Sequence, residues 1–354
     1  MIRRLAIFLA AACAVQTAAA QGGPDAEAIY AELFNASPAE RQAKLEEGAR
    51  KEGRLSIINT TRPQSPVQAQ MFMKRYPFIQ LDALNDLGTS DAGERFYAEE
   101  TAGRHLTDVV TGGPSDMSPA LKAGMVARYP TPVTDRVLPM YESFKDPERR
   151  WVPFFWAEHG ISYNSNLLTA AQAPKQWMDL CNPAFKGSVS FDPAERLFLS
   201  GLQMMMGEEG ATQFLKCMGA NQPIIQRGHE QRMMLMLSGD HMVQGDNYFF
   251  SGVREKRAHG APFEMVLTAP VIGVPSVAII NKRTTRPYAA ALFVDWLLSE
   301  EDQTFLSSEL RGVVTIKHPF IPETATIVPY KDPPEDVVQR LFSQWRASME
   351  PNRR

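Results

Sequence analysis

The sequence predicts an α/β fold arranged as two lobes, each a central, mostly parallel sheet flanked by helices. Three observations carry this. Val271 to Ile280 is apolar almost without break and β-branched at six positions, which suits a strand covered on both faces. Strand, polar loop, helix and strand alternate between Leu55 and Met117, the repeating unit of a parallel sheet. The chain has 354 residues, 44% of them apolar, enough for two lobes with proper cores.

The N-terminus reads as an address rather than as part of the fold. Arg3 and Arg4 precede the apolar run Leu5 to Val15, and Thr17-Ala18-Ala19-Ala20 offers a cleavage site before Gln21. Residues 1–20 are therefore expected to be a signal peptide and the mature protein periplasmic. Cys13 weakly resembles a lipid-attachment cysteine, but the apolar run before it is short and Ala10 stands where a larger aliphatic is usual. With Cys13 removed, Cys181 and Cys217 remain, an even pair that favours a disulfide in an oxidising compartment if the fold brings them together. A net charge of −3 and the absence of a basic run give no field for nucleic acid.

A helical segment spans residues 25–53. Its second part starts at Ser37-Pro38-Ala39-Glu40, with Ser to cap, Pro in the first turn and Glu three residues on. Strands at Leu55–Asn59, Phe78–Leu84 and Thr107–Val110 each end in a polar loop. Open α/β sheets bind ligands beyond the carboxyl ends of their strands. Thr60, Thr61, Arg62, Ser90, Ser115 and Asp116 are thus expected on one rim. After Pro287, apolar residues from Ala290 to Leu298 recur at helical spacing, with Asp295 on the polar side. The methionine clusters Met204–Met206 and Met233–Met236 read as core filler rather than soft-metal ligands, because both lie in apolar helical context. The tail helix 336–349 has one apolar face, from Val337 to Trp345, and is expected to pack on the first lobe.

Three stretches resemble a known family. Trp151 to Asn164 is a long apolar strand ending in Tyr163-Asn164. Pro174 to Leu180 with Trp177, then Asn182 to Gly187, follow as a short helix and a turn. Leu237 to Gly245 and Asp246 to Phe250 form a helix end and a short strand. In order and spacing these resemble the periplasmic solute-binding proteins of ABC importers (extracellular solute-binding family 1), and within it the ferric-ion-binding proteins. The resemblance implies the type II periplasmic-binding-protein fold, with a first lobe of residues 54–156 and 271–350 and a second of 157–270. Two crossing strands would join the lobes, hinged at Phe155–Ala157 and Ile272–Val274. It also implies a monomer that captures a solute by closure and delivers it to an inner-membrane permease.

Catalysis finds no support in the motifs. The six histidines show no metalloprotease spacing, and neither a nucleophile elbow nor a phosphate-binding glycine loop occurs. No resident cofactor is expected, and a secreted enzyme is the minor alternative. The solute is open between ferric iron and a small organic anion. In the ferric-binding proteins adjacent tyrosines hold the iron; here the matching place reads Tyr248-Phe249, so Tyr248 is a candidate metal ligand and Phe249 cannot be one. For an anion of carboxylate or phosphonate type, Arg62 and Arg196 are candidate clamps. The hydroxyls of Thr60, Thr61, Ser90, Ser115 and Tyr248 would add hydrogen bonds, with N–H groups at Gly112 and Gly113.

Overall fold

The computed structural model describes residues 25–193, 196–331 and 333–350. The leader, Cys13 and the end of the loop after Asp192-Pro193 lie outside them. In chain order the elements are α1 (Ala26–Asn35), α2 (Pro38–Glu52), β1 (Arg54–Ile58), α3 (Ser65–Arg75), β2 (Gln80–Leu84), α4 (Thr89–Thr101), β3 (Val109–Gly112) and α5 (Ser118–Lys122). Then come β4 (Val152–Asn164), β5 (Val189–Phe191), α6 (Arg196–Ala220), β6 (Ile224–Ile225), α7 (His229–Ser238), β7 (Val243–Tyr248), α8 (Phe249–His259) and β8 (Phe263–Val266). The chain closes with β9 (Val271–Ile280), α9 (Pro287–Trp296), α10 (Glu300–Ser308), β10 (Gly312–Val313), β11 (Ile327–Pro329) and α11 (Glu335–Ser348).

The expected start of α2 is present in full: Ser37 and Glu40 cap each other's backbone N–H, and Gly53 ends the helix in the left-handed region at φ 68°. In the first lobe β1 lies between β2 and β3, all parallel. Alternate residues of β1 feed opposite layers, Leu55 and Ile57 into one apolar cluster and Ile58 into another. Strand β9 does the same, Ile280 joining the first cluster and Val277 and Ile279 the second. Burial on both faces is why these strands read as unbroken apolar runs.

The crossing strands knit the lobes into one sheet of order β2-β1-β3-β9-β4-β7-β5-β6. Strand β4 runs antiparallel to β9 from Val152 to His159, and its far half pairs with β7 and β8 of the second lobe. Of the two segments expected as the hinge, only Ala157 and Val274 stand opposite each other; Trp156 faces Pro275, and Ile272 faces His159.

Two expectations need correction. First, α11 packs not on the first lobe but on the second. Its Leu341, Trp345 and Met349 join the cluster of Phe191, Phe198 and Phe214, with the Trp345 and Phe198 rings 5.9 Å apart. At Gly219 a Cβ would stand 2.2 Å from the Ser348 carbonyl, so the close approach depends on glycine. The chain gets there by a third strand beside the crossing pair, β11 lying parallel to Val271–Gly273. Helix α6 turns sharply at Gly207, which has φ 73°. Second, Asp295 does not face solvent. It is buried in an ion pair with Arg41 of α2, and the helical run after Pro287 stops near Leu297 and restarts under a Ser299 cap.

Cys181 and Cys217 are disulfide-bonded, tying the loop before β5 to α6 across a separation of 36 residues. Closing a loop of that length is worth about 3–4 kcal/mol in the chain-entropy account. Replacing both cysteines by serine should therefore lower the thermal midpoint by several degrees without changing the far-ultraviolet circular dichroism at 20 °C. An unchanged midpoint would mean that the bridge adds nothing.

Candidate functional site

The carboxyl ends of β1, β2 and β3 meet the end of β7 across the crossing strands, and a cleft of about 270 Å³ opens there. The first lobe contributes Thr60 and Arg62 after β1, Gly88 and Thr89 after β2, and Gly113 and Asp116 after β3. The second lobe contributes Tyr248 and Phe250, and the crossing strands add Phe155, Ala157 and Val274 to Ser276. Arg311, just before β10, completes the wall. Beyond Arg62 and Phe250 the space continues into a recess lined by Ser65, Asn85, Glu230, Ser251 and Arg254. A hollow of 490 Å³ near Phe34 and Trp151 is larger than the cleft, but the second lobe contributes nothing to it.

Of the residues picked from the sequence, Thr60, Arg62, Asp116 and Tyr248 line this cleft together. Thr60 is held by a reciprocal pair: its N–H donates to Thr111 Oγ1 at 2.8 Å and its hydroxyl to the Thr111 carbonyl at 3.0 Å. Arg62 donates from Nη1 to the Asp86 carbonyl at 2.8 Å. Thr61 is buried behind the rim, its N–H on Asn59 Oδ1. Ser90 sits in the first turn of α4 and donates to Asp116 Oδ1 at 2.8 Å, so it reaches the cleft through Asp116. Ser115 lines a neighbouring groove with Lys122 and Trp151. Arg196 does not line the cleft; at the start of α6 it turns toward the tail and pairs with Glu335 at 2.9 Å.

Arg311 was missed by sequence reasoning and dominates the site. It is 7% exposed. Nε and Nη2 donate to Gln64 Oε1 at 3.2 and 3.0 Å, and Nη2 also to the Arg62 carbonyl. The guanidinium lies 3.9 Å over the Phe250 ring of the opposite lobe. Burial pulls its pKa down to about 10, opposed by the charge of Glu158, so it stays a cation at neutral pH. No carboxylate is within ion-pair distance of it among the described residues, and Nη1 has no hydrogen-bond partner there. Two helix N-termini add to the positive field. Neither α4, entered at Gly88, nor α8, entered at Tyr248, has a side-chain cap.

Tyr248 is held from below. Its ring lies edge-on to His159 and His229, at 5.4 and 4.9 Å between centroids. His159 Nε2 is 2.6 Å from Asp246 Oδ1, and Arg232, fully buried, donates to the carbonyls of Gly245 and Asp246. Burial alone would raise the Asp246 pKa; the charges of His229, His159 and Arg232, with the His159 hydrogen bond, outweigh it and hold the carboxyl low. This clamp fixes Asp246 at φ 60°, an unusual angle for aspartate, and so aims the end of β7. Phe249 turns the other way, into the core, where a Cβ on Gly160 would meet its ring at 2.7 Å. Phe250 takes the cleft-facing place.

Residues 105–326 match the family model of bacterial extracellular solute-binding proteins. The chain belongs to that family. An uncharacterized protein of Haemophilus influenzae is 28% identical over 210 residues, spanning 55% of this chain and 59% of the relative. The chain thus covers less than two thirds of that relative's length. Among solved structures, iron-bound HitA from Pseudomonas aeruginosa superposes with a TM-score of 0.69 at 19% identity, over 83% of this chain and 99% of its own. AfuA from Actinobacillus pleuropneumoniae, with fructose-6-phosphate bound, gives 0.69 at 22% identity, over 84% and 99%. The periplasmic binding protein P5PA gives 0.67 at 22%, over 84% and 99%. At these identities the likeness speaks to the fold, and it is the two-lobed binding-protein fold expected from the crossing strands.

Proposed function

We propose that the protein is the periplasmic capture component of an ABC importer and that its solute is a small organic anion, a phosphate monoester ahead of a carboxylate. The supporting observation is Arg311: a buried cation pinned by neutral oxygens, facing the cleft beside Arg62 and two uncapped helix N-termini. A guanidinium desolvated without a carboxylate partner is costly, and an anionic solute would relieve that cost. Arg311 also touches both lobes, Gln64 on one side and Phe250 on the other. A solute bound to it would gain contacts from the second lobe on closure, which shifts the open–closed balance. The closed form would then engage an inner-membrane permease. That AfuA was solved with a sugar phosphate supports the choice of anion.

Ferric iron is the second reading. Tyr248 favours it, as does the iron-bound state of HitA. Hard Fe(III) wants several anionic oxygens, and the cleft offers a phenol and Asp116 beside two guanidiniums. The two readings separate on Tyr248→Phe. For an anion, the variant should lose one charge-assisted hydrogen bond, about ten-fold or more in Kd, with no visible absorbance before or after. For iron, the unsubstituted protein should show a charge-transfer band on adding ferric citrate, and Tyr248→Phe should erase it. Native mass spectrometry of the exported protein tests both at once: an organic phosphate mass supports the first reading, and an iron mass overturns it.

A further inference from the structure

Asp116 is the one carboxylate among the described residues lining an otherwise cationic cleft. Its Oδ1 accepts the Ser90 hydroxyl, while Oδ2 has no protein partner among the described residues. A bare anion would be repelled by it. Ser276, in β9 opposite Phe155, lines the same cleft; it is 7% exposed and its hydroxyl is buried without a hydrogen-bond partner. Buried hydroxyls are rarely left unpaired. The cleft's 270 Å³ is close to the roughly 300 Å³ at which small-molecule pockets begin, so inorganic phosphate would leave much of it empty.

We infer that the solute carries a hydrogen-bond donor, a hydroxyl or an ammonium, on the body attached to its anionic group, and that Asp116 is the residue that selects for it. This rests on the anion reading. The anionic group sits on Arg311, Arg62 and the α4 N-terminus; the donor reaches Asp116 Oδ2, and Ser276 Oγ takes a second hydrogen bond. Asp116 then does two things. It rewards a donor-bearing solute with a charge-assisted hydrogen bond, and it penalises simple anions by like-charge repulsion, a form of selection that attraction alone cannot supply.

The test is calorimetric titration of the exported, ligand-stripped protein with methyl phosphate and with glycerol 3-phosphate, which share the anion and differ in hydroxyls. The protein should prefer glycerol 3-phosphate by about ten-fold or more, the worth of one charge-assisted hydrogen bond. Asp116→Asn should abolish most of that preference, weakening glycerol 3-phosphate and tightening methyl phosphate; Ser276→Ala should reduce the preference in part. Thermal midpoints of both variants are measured alongside, and Asp116→Ala serves if the asparagine variant misfolds. Equal affinities for the two esters in the unsubstituted protein would overturn the inference while leaving the anion reading intact. So would an Asp116→Asn variant that weakens both esters alike. Failure to bind either ester, or lactate as a carboxylate probe, would overturn both.

Discussion

Replacing Arg311 by alanine should abolish solute capture while leaving the two lobes folded. Truncating one partner of a desolvated charge pair costs about 2–5 kcal/mol, a loss of roughly thirty-fold or more in Kd. Lysine should not rescue it. Two of the guanidinium's three nitrogens are spent on Gln64 and the Arg62 carbonyl, and an ammonium cannot hold that fork and still present a donor to the cleft. The stability cost should be smaller, on the order of 1 kcal/mol, from the lost stacking on Phe250. Titration with the solute that co-purifies, set beside thermal unfolding of the empty protein, checks both halves. An Arg311→Ala variant that binds as tightly as the parent would remove the anion reading altogether.

How much of this could be read from residues alone differs element by element, and the differences have physical causes. The crossing strands were legible because a strand buried on both faces must be apolar throughout, and few other elements look like Val271 to Ile280. The rim was legible in part: parallel strands end where ligands sit, so Thr60 and Arg62 follow from topology without any knowledge of side-chain direction. Direction is what failed for Arg196, Ser115 and Thr61. Thr61 and Ser115 lie in loops at strand ends and Arg196 opens α6, but the Arg196 side chain turns to Glu335, Ser115 faces a neighbouring groove and Thr61 is buried. Arg311 was invisible for the opposite reason. It follows a helix rather than a strand, after Leu310 at φ 66°, and only the pairing of Gly312 with Trp156 brings it to the cleft. Ser276 was hidden inside an apolar run. The tail helix shows a further limit: an apolar face on α11 says that the helix docks, while the gap over Gly219 decides where.

Asp295→Ala should be strongly destabilising, and it should leave solute affinity unchanged. Asp295 and Arg41 are 8% and 4% exposed, and they bind each other directly. Tyr129 donates to Asp295 Oδ1 at 2.7 Å and Thr131 at 2.9 Å, while Arg41 Nη2 donates to both hydroxyls at 2.7 and 3.1 Å. The network pins α2, α9 and the segment at Tyr129–Thr131 at one point, and removing the carboxylate strands a guanidinium in the interior. Breaking such a pair costs about 3–5 kcal/mol. At roughly 2–4 °C per kcal/mol for chains of this order, the thermal midpoint should fall by at least about 6 °C. The double variant Arg41→Met with Asp295→Leu should recover much of that, because the cost lies in the unpaired charge and not in the loss of the pair itself. A midpoint within a degree or so of the parent for Asp295→Ala would mean that water reaches the site and that the network is ornamental to stability. Set against Arg311→Ala, the pair of variants separates two kinds of buried arginine. Arg41 has its carboxylate within the fold, and its removal should register in stability; Arg311 has none within ion-pair distance among the described residues, and its removal should register in binding.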